Sequence, residues 1–167
     1  MRLSKRGEYG IRALLLMAEL ENGAQPLISL KTLAAKENIP PKFLEQIMTQ
    51  LRNAGFLHSY KGPGGGYKLS RPADQITIGS IIRTLDGALA PVKCVSKTAY
   101  EPCDCPDEAT CGLRMVMLDV RSAVTAILDT TTLAAIARRR DATLKMEAFH
   151  EKQTPAPATF DPFVIPD

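Results

Sequence analysis

The chain of 167 residues predicts a mostly α fold with a small β-wing: a helical head, then one long helix. Three observations predict it. Apolar residues recur at helical spacing in three short segments before residue 55. Directly after them, "KGPGGG" separates two β-prone arms. Further on, "LRMVMLDVRSAVTAILDTTTLAAI" carries one broad apolar stripe along its length.

The first helix is expected from Ser4, a suitable N-cap, to Leu20, with Ile11, Leu14, Leu15 and Ala18 on its apolar face and Glu8 in its first turns. "ENGAQPLIS" breaks it. A short second helix opens at Ser29 and turns Leu30, Leu33 and Ala34 to one side, ending at "NIPP". Pro41 suits the first position of a third helix, in which Phe43, Leu44, Ile47, Met48 and Leu51 form the buried stripe and Gly55 the C-terminal stop. Lys42, Glu45, Gln46, Gln50 and Arg52 are left to solvent. Arms at Phe56–Tyr60 and Tyr67–Ser70 then make a hairpin, and "DQITIGSIIRTLDG" leads through a turn into a short helix that completes the head.

Composition narrows the function classes. An apolar fraction of 45% with 23% charged residues is that of an ordinary globular protein. No run approaches the ~18 apolar residues of a membrane span, and the basic start lacks a cleavage site, so a cytoplasmic protein without membrane contact is expected. The net charge of +3 is unevenly spread: residues 1–90 hold 12 Lys+Arg against 7 Asp+Glu, and residues 91–167 hold 9 against 11. A basic first half favours a polyanionic partner. No serine–histidine–acid set, Walker loop or nucleotide fingerprint with the right flanks occurs, so an enzyme is not expected.

Two short helices joined by a tight turn, with a polar face on the second, fit a helix-turn-helix. With a glycine-tipped basic hairpin behind it, the segment reads as a winged helix-turn-helix over residues 1–90, its recognition helix suited to the major groove and its wing to the minor groove. Gln46 can bind an adenine edge and Glu45 can accept from a cytosine amino group. Lys42, Arg52, Lys61 and Lys68 suit phosphates, and Gly62 lets the wing backbone approach closely. The stripe Leu113, Val116, Met117, Val120, Val124, Ile127 and Leu128 exceeds what a small head buries, so residues 113–140 are expected to form a dimerisation helix, and a homodimer matches a two-fold operator. Residues 141–167 are expected to be a disordered tail, given the proline-rich "KQTPAPATFDPFVIPD".

All four cysteines lie between residues 94 and 111, spaced Cys94-x8-Cys103-x-Cys105-x5-Cys111, within a loop spanning residues 91–112. The spacing lacks the Cys-x2-Cys knuckles of zinc sites. A reducing compartment disfavours disulfides, and thiolates gathered without a knuckle suit an iron–sulfur cluster. Two alternatives stay open: a cluster-free thiol or persulfide sensor that still binds DNA, and a zinc-stabilised protein-interaction module.

"YGIRALLLMAEL", "LEQIMTQLRNAGFLHSYKGPGGGYKLSRP" and "ITIGSIIRTLDG" resemble successive segments of the Rrf-two family of bacterial winged-helix regulators, over roughly residues 1–137. The resemblance implies a transcriptional regulator of double-stranded operator DNA, with contacts from Glu45, Gln46 and Lys61. The wing cation is a lysine where well-known members carry arginine, and Pro40-Pro41-Lys42 stands where relatives often have serines. The resemblance also implies a [2Fe–2S] or [4Fe–4S] cluster on three loop cysteines: Cys105 and Cys111 match the second and third, and Cys94 corresponds best to the first. Cys103 is extra, as a replacement for Cys94 or Cys105 or as a resolving thiol. Glu8 is the leading fourth ligand, reaching across the dimer as an acid does in one nitric-oxide-sensing relative.

Overall fold

Ser4 begins the head by accepting the Gly7 amide at 3.1 Å, which caps α1 (Lys5–Leu20), and by donating its own amide to Asp86 at 2.9 Å. The computed structural model describes residues 3–20 and 27–153; the expected break at residues 21–29 therefore lies mostly outside the described residues. After it come α2 (Leu30–Glu37), α3 (Pro41–Asn53), β1 (Leu57–Tyr60), β2 (Gly66–Leu69) and α4 (Ile78–Leu85). The loop 86–111 leads to α5 (Gly112–Thr130) and α6 (Leu133–Gln153).

Local chemistry explains each boundary. Ser29 caps α2 through the Thr32 amide at 3.1 Å, and Asn38 closes it in the left-handed region at φ 51°. Pro41 opens α3, where its missing amide costs nothing. Gly55 ends it at φ 78°, a conformation that a β-carbon penalises, and the Phe56 amide bonds back to the Leu51 carbonyl at 2.9 Å. β1 and β2 pair antiparallel with Leu57 opposite Leu69 and Tyr60 opposite Gly66. Ile28 adds an unexpected bridge: it exchanges two backbone hydrogen bonds with Tyr67, at 3.0 and 2.9 Å. In sequence "PLIS" carries only turn signals, because a single bridging residue has no periodicity to detect.

The core of the head gathers Leu14, Leu33, Leu44, Ile47, Met48, Leu51, Ile76 and Ile81, all fully buried. Each such side chain contributes roughly 1.5–3 kcal/mol of burial. On α1 the buried set is wider than the expected stripe: Ala13, Leu16 and Met17 are buried while Ile11 and Leu15 are only half-buried. The cause is position, since α1 packs against α2, α3, α4 and β2 and is covered from several sides.

Two expectations for the second half are corrected. The long helix is not continuous, because Thr131 and Thr132 interrupt it. Thr131 accepts the Ile78 amide at 2.9 Å and the Leu133 amide donates to Ile76 at 3.0 Å, so the break is pinned to the edge of the head. β-branched threonines suit this extended pairing; the Thr131 hydroxyl donates back to the Ile127 carbonyl at 2.7 Å, and the Thr132 hydroxyl accepts the Ala135 amide at 3.2 Å to start α6. The tail expected from residue 141 is instead helical through Gln153, since the run "DATLKMEAFHEKQ" contains good helix formers and no proline before Pro155. Residues 154–167 lie outside the described residues.

Residues up to Ala137 form one compact unit, and residues from Arg138 onward form a second. Leu133 is fully buried in the first unit; Leu144 and Met146 of the second are exposed. Among the described residues no helix is long and apolar enough to cross a membrane.

Candidate nucleic-acid interface and thiol loop

A buried stripe of Leu44, Ile47, Met48 and Leu51 fixes how α3 is rotated, and that rotation decides which polar residues reach solvent. Lys42, Glu45 and Gln46 are exposed and, with Thr49, line one shallow depression on the outer face. Thr49 escaped sequence reasoning, although its spacing of seven from Lys42 and three from Gln46 places it on that face. Among the described residues Glu45 has no ion-pair partner, so its carboxylate is available to accept from a ligand. Arg52 is exposed and bonds to Asn53 at 3.2 Å.

Gln50 departs from expectation. It is half-buried, accepts from Arg6 at 3.2 Å and donates to the Thr84 carbonyl at 2.7 Å, so it fastens α3 to its neighbours instead of facing solvent.

At the wing, Lys61 and Gly62 are exposed at the hairpin tip, with Gly62 at φ 105°. Lys68 stands farther back on β2, its ammonium 5.3 Å from the Tyr60 ring. Arg71 stacks over Phe56 at 5.0 Å, leaving Lys61 as the cation at the tip.

The thiol loop is held from both ends. The Arg121 guanidinium on α5 donates to the Val95 carbonyl at 2.8 Å, Lys93 pairs with Glu101 at 2.5 Å, and Tyr100 donates to Glu108 at 2.8 Å. Arg114 stands 2.9 Å from the same glutamate. Within this clamp Cys94 is buried, Cys103, Cys105 and Cys111 are half-buried, and Cys111 is the residue from which α5 starts. The Cys105 and Cys111 sulfurs are 3.8 Å apart. Cys103 lies near enough to Cys105 and Cys94 to influence their titration, and among the described residues Cys105–Cys111 is the pair in sulfur–sulfur contact. The bond from Cys105 holds the Cys103 thiol below its usual range, whereas its links to Cys103, then to Cys111, push the Cys105 thiol up to about 12. Burial, then the nearby Cys103, raises Cys94.

Among the described residues, no group of three His, Cys, Asp or Glu side chains stands in metal-holding geometry. The donor set nevertheless fits an iron–sulfur cluster chemically, since four sulfurs share one loop and two are already in contact. Glu8 is not with them in the single chain: it bonds to Lys5 at 2.8 Å and stands 3.6 Å from Arg12. The Lys5 hydrogen bond holds its carboxyl below the usual range.

α5 offers a different feature. None of its residues is buried, and Leu113, Val116, Val120 and Ile127 are exposed on one face, Ile127 by 63%. Met117, Val124 and Leu128 are half-buried, Leu128 against the core of the head, so the expected stripe is not uniformly exposed.

Comparison with known proteins agrees with this architecture. Residues 3–139 match the Rrf2 family, described as an iron-dependent transcriptional regulator. An rrf2-like HTH-type transcriptional regulator of Rhodobacter capsulatus is 35% identical over 133 residues, covering 78% of this chain and 89% of the relative. The structure of CymR, the global cysteine regulator of B. subtilis, superposes with a TM-score of 0.69 at 34% identity, covering 83% of this chain and 98% of that one. T. potens IscR gives a TM-score of 0.64 at 25% identity, covering 96% and 97%. With a helix-turn-helix, a basic wing and a matching length of chain, the protein belongs to the Rrf2 family of winged-helix, DNA-binding transcriptional regulators, which are not enzymes.

Proposed function

We propose that this chain is a cytoplasmic homodimer that represses transcription from double-stranded operator DNA, and that an iron–sulfur cluster, [2Fe–2S] or [4Fe–4S], on thiols of the 94–111 loop sets its operator affinity. The observation that carries this reading is one loop holding all four thiols, two of them in contact at 3.8 Å and the loop tied to α5 by Arg121. Thiolate is the preferred ligand of iron–sulfur centres, and a bound cluster supplies a centre responsive to redox, iron or nitric oxide status.

The chain's own residues supply the rest. Lys42, Arg52, Lys61 and Lys68 hold phosphates, Gly62 lets the wing approach the backbone, and Glu45 and Gln46 read base edges. The loop connects to the reading helix through Arg121 and Val95, then Arg83 and Asp129 between α4 and α5, then Thr84 and Gln50 between α4 and α3. A coupling of ~1–3 kcal/mol along such a path changes affinity by about 5–150-fold. Glu8 serves as fourth ligand only by leaving Lys5 and Arg12 for the loop of a second copy.

A cluster-free thiol or persulfide sensor is the second reading. It is favoured by the low-lying thiol of Cys103 next to Cys105, and by the similarity to a regulator described as the global cysteine regulator. Anaerobic purification separates the two. Iron with acid-labile sulfide and visible absorption is expected, and a colourless protein with redox-dependent mobility favours the thiols alone.

A further inference from the structure

A cavity of about 270 Å³ between α4, the thiol loop and α5 is bordered by Arg83, Arg121 and Asp129 of the path above, and that reading leaves its interior unused. Its walls include Arg83, Ser96, Lys97, Arg121, Thr125 and Asp129. Three cations and hydroxyl groups therefore surround a space the size of a small molecule.

The charges do not cancel. Asp129 takes Arg83 in a two-bonded fork, at 2.6 and 2.8 Å, which satisfies that pair. Among the described residues neither Lys97 nor Arg121 has an acidic partner. Arg121 spends one terminal nitrogen, Nη1, on the Val95 carbonyl. Its Nε is buried and has no hydrogen-bond partner among the described residues. A guanidinium without an acidic partner leaves its charge uncompensated, and an anion in the cavity would meet the part of Arg121 that lines the walls, not the enclosed Nε.

The cavity also stands clear of the apolar stripe. Arg121, Thr125 and Asp129 follow one another at intervals of four, and the direction they share lies roughly 150° around α5 from that of Leu113, Val116, Val120 and Ile127 at 3.6 residues per turn. A partner covering the stripe leaves the cavity accessible.

We infer that this cavity binds a small oxyanion, a carboxylate or a phosphate, on Arg121 and Lys97. Its ligand touches α4, the loop and α5 together and so joins the three elements.

Thermal melting of the full-length protein at constant ionic strength tests this, with sodium succinate and inorganic phosphate as probes and chloride as control. A saturable rise in melting temperature is expected, and the anion that produces it identifies the class. Arg121→Met is expected to require roughly tenfold more anion or to lose the response. Because that change also removes the Val95 bond, exposed Lys97→Gln is measured beside it, with circular dichroism to confirm the fold; a several-fold weakening is expected. No saturable rise with either anion, or an unaltered response in both variants, overturns the inference.

Discussion

Arg83 on α4 and Asp129 on α5 meet in a bidentate fork, both bonds under 3 Å, directly over Gly79. A β-carbon at position 79 would run into the Asp129 carboxylate, so the glycine makes room for the pair. Gly79→Ala is therefore expected to push the exposed carboxylate aside and lose the pair, about 0–1 kcal/mol, against the ~0.5–1 kcal/mol that alanine gains inside a helix, so the net change stays within about 1 kcal/mol of zero. A melting curve checks it; a loss well beyond about 1 kcal/mol would show that Asp129 cannot relocate.

The same pair carries a pH dependence. The Arg83 hydrogen bonds hold the Asp129 carboxyl below its usual 3.8. A lowered folded-state value means stabilisation that is full above 3.8 and lost as pH falls through the folded value. Both groups are substantially exposed, so the contribution is about 0–1 kcal/mol. Asp129→Asn should melt lower than the parent at pH 6, and the gap should close below about pH 3.8.

Much of the head was legible because its signals are local. Ser4, Ser29 and Gly55 mark helix ends by their own hydrogen bonds or φ, and the α3 stripe fixes the exposed positions of Lys42, Glu45 and Gln46. What could not be read depends on distant partners. Gln50 looks like any exposed polar residue until Arg6 and Thr84 are brought to it, and Thr131–Thr132 resemble helix interior until the 76–78 edge docks there. The gathering of four cysteines in one loop is legible in the sequence; the Arg121 and Lys93 contacts that hold the loop are not.

Base reading and phosphate holding separate by salt. Glu45→Ala with Gln46→Ala should relax operator choice by ~1–3 kcal/mol per lost contact. Lys61→Ala should weaken binding to all sequences alike and lower the salt slope by about 1. Footprinting across a salt series checks both, and undiminished selectivity in the double variant would remove α3 from the reading role.

The exposed face of α5 makes a prediction about assembly. Val120 and Ile127 are 41% and 63% exposed, so glutamate at either site costs the isolated chain little. If a second copy covers the face, Ile127→Glu buries a charge there and should give a monomer by light scattering, with helix content preserved. Operator affinity should fall at least tenfold, because a monomer engages one half-site. A dimer that survives both substitutions places the subunit contact elsewhere.

The thiol loop gives the sharpest test. Cys105 and Cys111 already stand in contact, so Cys105→Ser and Cys111→Ser should each abolish visible absorption and bound iron in oxygen-free preparations. Cys103 lies between Cys94 and Cys105 in the same loop, which makes it the candidate to take over from either neighbour. One of Cys94→Ser and Cys103→Ser should therefore keep the chromophore and the other lose it, identifying the third sulfur ligand. Glu8→Gln should shift the absorption bands without removing iron if the carboxylate is the fourth ligand, since three sulfurs remain. Operator binding measured with and without the chromophore should differ about 5–150-fold, and equal affinity in the two states would leave the thiols without a regulatory part.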